Sequence, residues 1–224
     1  MNWLPFMKVD FRLMKKQLPF LVILPAFVVL IAYSGTNMFF VVSYLCFGVL
    51  ILSTTPFVME DRNMSSFVHL LPGTDRDRVA GRFCWFFVLL LIYVVYGFGI
   101  SSFMSRFGIG ELRIGESEYV LCLAAALFCF VIGCIQMAVF YLLGRVKSQQ
   151  FSNLIRMLPA FLFFFVSNYV TDQMTDVQKE LYSILQFLLE NRRVLLLTCG
   201  AAAACVFVIC IAVSARFVGR RDVG

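Results

Sequence analysis

Hydrophobic residues along the chain gather into six blocks, and the segments before, between and after them hold every charge. The blocks are Leu18–Tyr33, Met38–Met59, Phe83–Met104, Tyr119–Leu143, Met157–Val170 and Val194–Ser214, and none contains Asp, Glu, Lys or Arg. A helix rises about 1.5 Å per residue and the hydrocarbon core of a bilayer is about 30 Å thick, so about 20 apolar residues cross it. Most blocks reach that length. The first contains Pro19 and Pro25 and is expected to borrow Gln17 and Ser34 at its ends. The pattern predicts an all-α polytopic membrane protein, with residues 18–224 as a single domain of six transmembrane helices.

Ahead of the first block the period changes. Trp3, Met7, Phe11 and Met14 share one helical face, and Lys8, Arg12, Lys15 and Lys16 lie on the opposite side. Residues 1–17 are therefore expected to form an amphipathic helix lying in the inner interface, rings toward acyl chains and amines toward headgroups. Asp10 breaks the pattern, because it falls in the middle of the apolar stripe. Either the helix begins later or Asp10 reaches water, or it pairs with an Arg or Lys of a neighbouring segment. A lone buried carboxylate would cost too much.

Composition agrees with the blocks. The 224 residues are 61% hydrophobic and 14% charged, where a soluble domain is nearer half apolar and about a quarter charged. All eight cysteines fall inside apolar blocks, so they read as small packing residues and not as a disulfide framework. No cleavable signal peptide is expected, since a charged amphipathic segment precedes the first block and no A-x-A-like site follows it. With the N-terminus inside, the inner segments hold fourteen of the Lys and Arg residues and the outer ones five. That bias predicts cytoplasmic termini. The pI near 9.0 then reflects basic residues beside an anionic leaflet, and no nucleic-acid motif is present.

The connection between blocks two and three, residues 60–82, carries eight charges, four of each sign. Met64, Phe67, Val68 and Leu71 follow the i, i+3, i+4, i+7 spacing of a helical stripe, and Pro72-Gly73 ends it. Thr74 with Asp77 reads as a capping box that opens the next helix, running on into the third span. Such a short helix could lie on lipid or dock to another protein.

The segment "EDRN" followed by "LLPGTDRDRVAGRF" resembles the loop between spans two and three of ABC-2-type transporter permeases, with Glu60, Asn63, Phe67, Leu71-Pro72, Thr74, Val79, Arg82 and Phe83 matching. It departs at Asp75, where a basic residue is common. "MKVDFRLMKKQ" resembles the family's amphipathic segment before span one, departing at Val9, and "SARFVGRRDVG" (Ser214–Gly224) its basic tail, with residues 215–224 expected as the cytoplasmic tail here. The resemblance implies the membrane subunit of a bacterial exporter in the plasma membrane. Its partners would be separate ABC ATPase subunits, a second permease subunit, identical or homologous, and membrane lipids. The loop would be a coupling helix touching the ATPase through Glu60, Asp61, Asn63, Met64, Phe67, Val68, His69, Leu71, Pro72 and Arg76.

What the chain lacks fits that division of labour. None of its five lysines follows a glycine, so there is no Walker A loop to surround phosphates. ATP and Mg²⁺ would belong to the partner, and no cofactor or metal is expected on this chain. The spans hold no carboxylate or His of the kind that ion-coupled carriers keep at depth. A single histidine, His69, with neither HExxH nor GxSxG, argues against an intramembrane enzyme.

On the outer side, residues 172–193 contain the apolar stripe Leu181, Ile184, Leu185 and Leu188. The resemblance implies a re-entrant helix over 178–191, and a helix lying on the outer surface is the alternative. With 26 Phe, 8 Tyr and 10 Met, a path through the protein would suit a hydrophobic or amphipathic cargo such as a peptide, lipophilic toxin or drug. The rival functions are a non-transport immunity or assembly module that recruits a cytoplasmic partner, and a channel.

Overall fold

The computed structural model describes residues 3–14, 18–33, 38–59, 73–108, 116–144, 148 and 191–221. These form seven helices and no strand. They are α1 (Leu4–Met14), α2 (Leu18–Tyr33), α3 (Met38–Ser53), α4 (Thr55–Met59), α5 (Asp75–Arg106), α6 (Glu116–Leu143) and α7 (Arg192–Arg221). Three of them are long and apolar enough to cross a membrane, within Asp75–Arg106, Cys122–Leu143 and Val194–Val218. The fifth expected span, nearly all of the outer segment 172–193, and Lys15 and Lys16 lie outside the described residues.

Where the expected spans are described, the helices follow them with two informative differences. The second block is not one helix: it breaks at Thr54, between α3 and α4. Pro56 has no N–H to give and its ring crowds the preceding turn. The hydroxyls of Ser53 and Thr54 bond back to the carbonyls of Leu50 and Ile51 at 3.0 and 2.9 Å, an arrangement that bends helices. As the capping box predicts, α5 begins at Asp75, eight residues before the third apolar block. In the sixth expected span, α7 continues past Ser214 to Arg221, so Arg216 and Arg220 ride on the spanning helix and not on a separate tail.

The core sits where α3, α5, α6 and α7 meet. Phe86 of α5 stacks on Phe130 of α6 with centroids 5.8 Å apart, and Phe130 and Phe83 both meet Phe207 of α7 at 5.6 and 5.9 Å. Lipid tails are as apolar as these rings, so burial alone does not hold membrane helices together; close packing does. Glycines permit it. A Cβ on Gly97 of α5 would lie 2.9 Å from Leu45 of α3, and one on Gly133 of α6 would fall onto the Phe86 ring. α2 is held more loosely, through Leu24 against Gly48, a hydrogen bond from the Tyr96 hydroxyl to the Pro25 carbonyl at 3.3 Å, and Phe27 against Tyr44.

Candidate functional site

The N-terminal end of α5 is where polar chemistry concentrates. Thr74 is its N-cap, with extended backbone (φ −91°, ψ 162°). The Thr74 hydroxyl accepts from the Asp77 amide at 3.3 Å and donates to the Asp77 carboxylate at 3.0 Å, while the Thr74 amide donates to the same carboxylate at 3.1 Å. This is the capping box that the spacing predicts. Asp75 and Asp77 also set negative charge against the positive end of the helix dipole. The cap contributes about 1 kcal/mol and fixes the residue at which α5 begins.

Helix α1 lies across this end. Phe6 is wedged against two glycines of the α5 region: a Cβ on Gly73 would come within 2.6 Å of its ring, and one on Gly81 within 2.8 Å of its Cβ. At Gly81 the added carbon would also meet the Trp3 carbonyl at 2.8 Å, so the two backbones touch. One turn further along α1, Asp10 is buried (2% exposed) and its carboxylate lies 3.4 Å from Nε of Arg82, itself 4% exposed. Of the two readings of Asp10, the ion pair is the one found. The reason is register: with about 100° per residue, Asp10 falls on the same face as Phe6, Val9 and Leu13, all buried.

The face that α1 buries in the protein is therefore rotated by roughly a quarter turn from the expected stripe of Trp3, Met7, Phe11 and Met14. Met14 is buried, Trp3 and Met7 are half-buried, and Phe11 is 52% exposed. Periodicity alone scored Phe11 as strongly as Met14; packing against α5 selected the neighbouring face. Phe11 still meets Trp85 of α5 edge-on at 5.7 Å, and the Trp85 indole donates to the Met14 sulfur at 3.3 Å. Lys8 and Arg12 are exposed.

Arg82 extends the joint to two further helices. Its guanidinium carbon sits 4.4 Å over the Phe57 ring of α4, and Phe57 stacks on Phe140 at 4.9 Å and meets Tyr141 edge-on at 5.0 Å. Asp10, Arg82, Phe57 and the last turn of α6 thus form one chain of contacts through α1, α5, α4 and α6. Pairing is what lets Arg82 stand buried at the threshold of an apolar run that begins with Phe83. The aromatic face beneath it adds on the order of 1 kcal/mol.

Of the expected partner-contact residues, Arg76 is exposed on the first turn of α5. Glu60, Asp61, Asn63, Met64, Phe67, Val68, His69, Leu71 and Pro72 lie outside the described residues. Sequence reasoning missed Phe57 and Gly81, and it counted Arg82 only as one matching basic residue. The misplaced charge of Asp10 was the one signal that pointed toward a cation on a neighbouring segment. Among the described residues no cluster of His, Cys, Asp and Glu could hold a metal ion.

Neither a curated protein nor a solved structure matches the chain. A family model described as ABC-2 family transporter protein matches residues 6–218, from the Phe6 wedge through the half-buried Val218 of α7. That match takes in Phe6, Asp10, Phe57, Gly81 and Arg82 of the joint just described, and the chain belongs to the ABC-2 transporter family, as a membrane permease.

Proposed function

We propose that this permease is the membrane-spanning subunit of an ATP-driven exporter in a bacterial plasma membrane. Two six-span subunits, identical or homologous, would work with two separate ATPase subunits. Cargo would cross between the membrane subunits, and both termini would be cytoplasmic. The chain has no phosphate-binding loop, so its energy must arrive by contact. Family membership supports an ABC ATPase as the source.

The observation that carries the reading is the continuity of α5. It runs unbroken for 32 residues from the Thr74 cap, and its base is joined to α1 and α4 through Arg82, Gly81 and Trp85, and by way of Phe57 to α6. A push on residues 60–72 would reach a helix that is already coupled to its neighbours, and would move them together. The chain's content of 26 Phe, 8 Tyr and 10 Met supports a hydrophobic or amphipathic cargo, a peptide, lipophilic toxin or drug.

The test is co-purification of the ATPase from detergent, with ATP turnover measured in the complex. Phe67→Ala or Leu71→Ala should weaken ATPase association about thirtyfold, the effect of removing an interface anchor, and leave membrane insertion unchanged. Recovery of the chain without any nucleotide-hydrolysing partner would favour the immunity or assembly role instead.

A further inference from the structure

Helix α1 presents three faces of different chemistry. Phe6, Val9, Asp10 and Leu13 are buried against the protein. Leu4 and Phe11 are 48% and 52% exposed, and Lys8 and Arg12 are exposed beside them. At about 100° per residue the exposed apolar arc borders the basic arc directly. An apolar strip edged with cations matches the boundary of an anionic bilayer, acyl chains beside headgroup phosphates. An acidic protein groove would offer similar charge. The chain decides for lipid, because the apolar helix α2 begins at Leu18, four residues after α1 ends, which keeps α1 at the membrane border.

The inner face of the same helix grips the start of α5. Phe6 fills the space over Gly73 and Gly81, and Asp10 pairs with Arg82, so α1 cannot shift without disturbing the first two turns of α5. We propose that α1 is a lipid-dependent brace: an anionic bilayer surface holds Lys8 and Arg12, and through Phe6 and Asp10 that grip orders the base of α5 where residues 60–72 enter it. Lys8 and Arg12 are positioning residues in this scheme. The inference deepens the proposed coupling role of that segment, but its test needs no ATPase and can fail independently of it.

The experiment uses the full chain in nanodiscs of POPC alone or of POPC with about 30% POPG, an anionic lipid of the charge that basic segments recognise. Hydrogen exchange is followed in the peptide containing Asp75–Arg82. Both tryptophans of the chain, Trp3 and Trp85, lie at this joint, so their quenching by brominated lipid reports on it directly. POPG should slow exchange at the base of α5 at least about threefold and change tryptophan quenching, and added salt should reverse both. Lys8→Gln with Arg12→Gln, two exposed positions that leave the core intact, should abolish the response, since two cations contribute about thirtyfold in affinity for such a surface. Asp10→Asn should keep the change in quenching and lose the protection of α5. Exchange that ignores lipid charge, or a response that survives the double glutamine variant, would overturn the proposal.

Discussion

Helices α6 and α7 are near equals as sequences and opposites as structures. Their apolar stretches have mean hydropathies of 2.4 and 2.7, yet 56% of one and 11% of the other is buried inside the protein. In water the second would be an aggregation hazard. In a bilayer, hydrocarbon tails cover an apolar face as well as a neighbouring helix does, so hydropathy reports where a chain crosses and not what lies beside it. Two glycines make the contrast concrete. A Cβ on Gly133 of α6 would collide with Phe86, a ring fully buried and stacked on Phe130, whereas one on Gly200 of α7 would have nothing within 4 Å. α6 is the axis of the bundle and α7 its rim, and the joint around Arg82 belongs to the packed side.

The largest expected loss on that side comes from Arg82→Met. It takes the guanidinium away from a buried carboxylate, and stability in an SDS titration should fall by about 3–5 kcal/mol. Adding Asp10→Leu should recover most of the loss, because a buried ion pair replaced by apolar groups of similar volume costs little. No recovery would mean that the contact over Phe57, and not the pair, holds the joint. Next in size, Gly133→Ala should destabilise by about 1–3 kcal/mol through overpacking, since Phe86 cannot turn away. Thr74→Ala should cost about 1 kcal/mol and raise hydrogen exchange in the first turn of α5 only. Gly200→Ala should act in the other direction, a gain of about 0.5–1 kcal/mol from helix propensity at an open position. A loss there as large as that of Gly133→Ala would show that α7 is covered in the assembled protein, and the contrast between the two helices would fail.

Local chemistry made some features legible in advance and left others hidden. Thr74 and Asp77 are three residues apart, and that spacing alone announced the helix start that the structure contains. Pro56 stood in plain sight, but the break at Thr54 also needed hydroxyls that turn back on their own helix, a choice made only when the surroundings close. Asp10 left open a choice between water and a cation, and could not name the cation, because Arg82 is 72 residues away in the chain. Gly81 looked like any glycine in a helix until the Trp3 carbonyl was found against it.

The sequence by itself determined that the chain is helical and membrane-spanning, where its three long apolar helices lie and where α5 is capped, and it left open whether the α1 carboxylate meets water or a cation. Those properties follow from residue period, transfer energy and hydrogen bonds within a few positions of each other. Only the tertiary structure decided which face of α1 turns inward, which cation meets Asp10, and which of two equally apolar helices is enclosed. Apolar surface carries no address, and in a bilayer it is satisfied by lipid or protein alike, so shape and pairing between distant residues must make the choice.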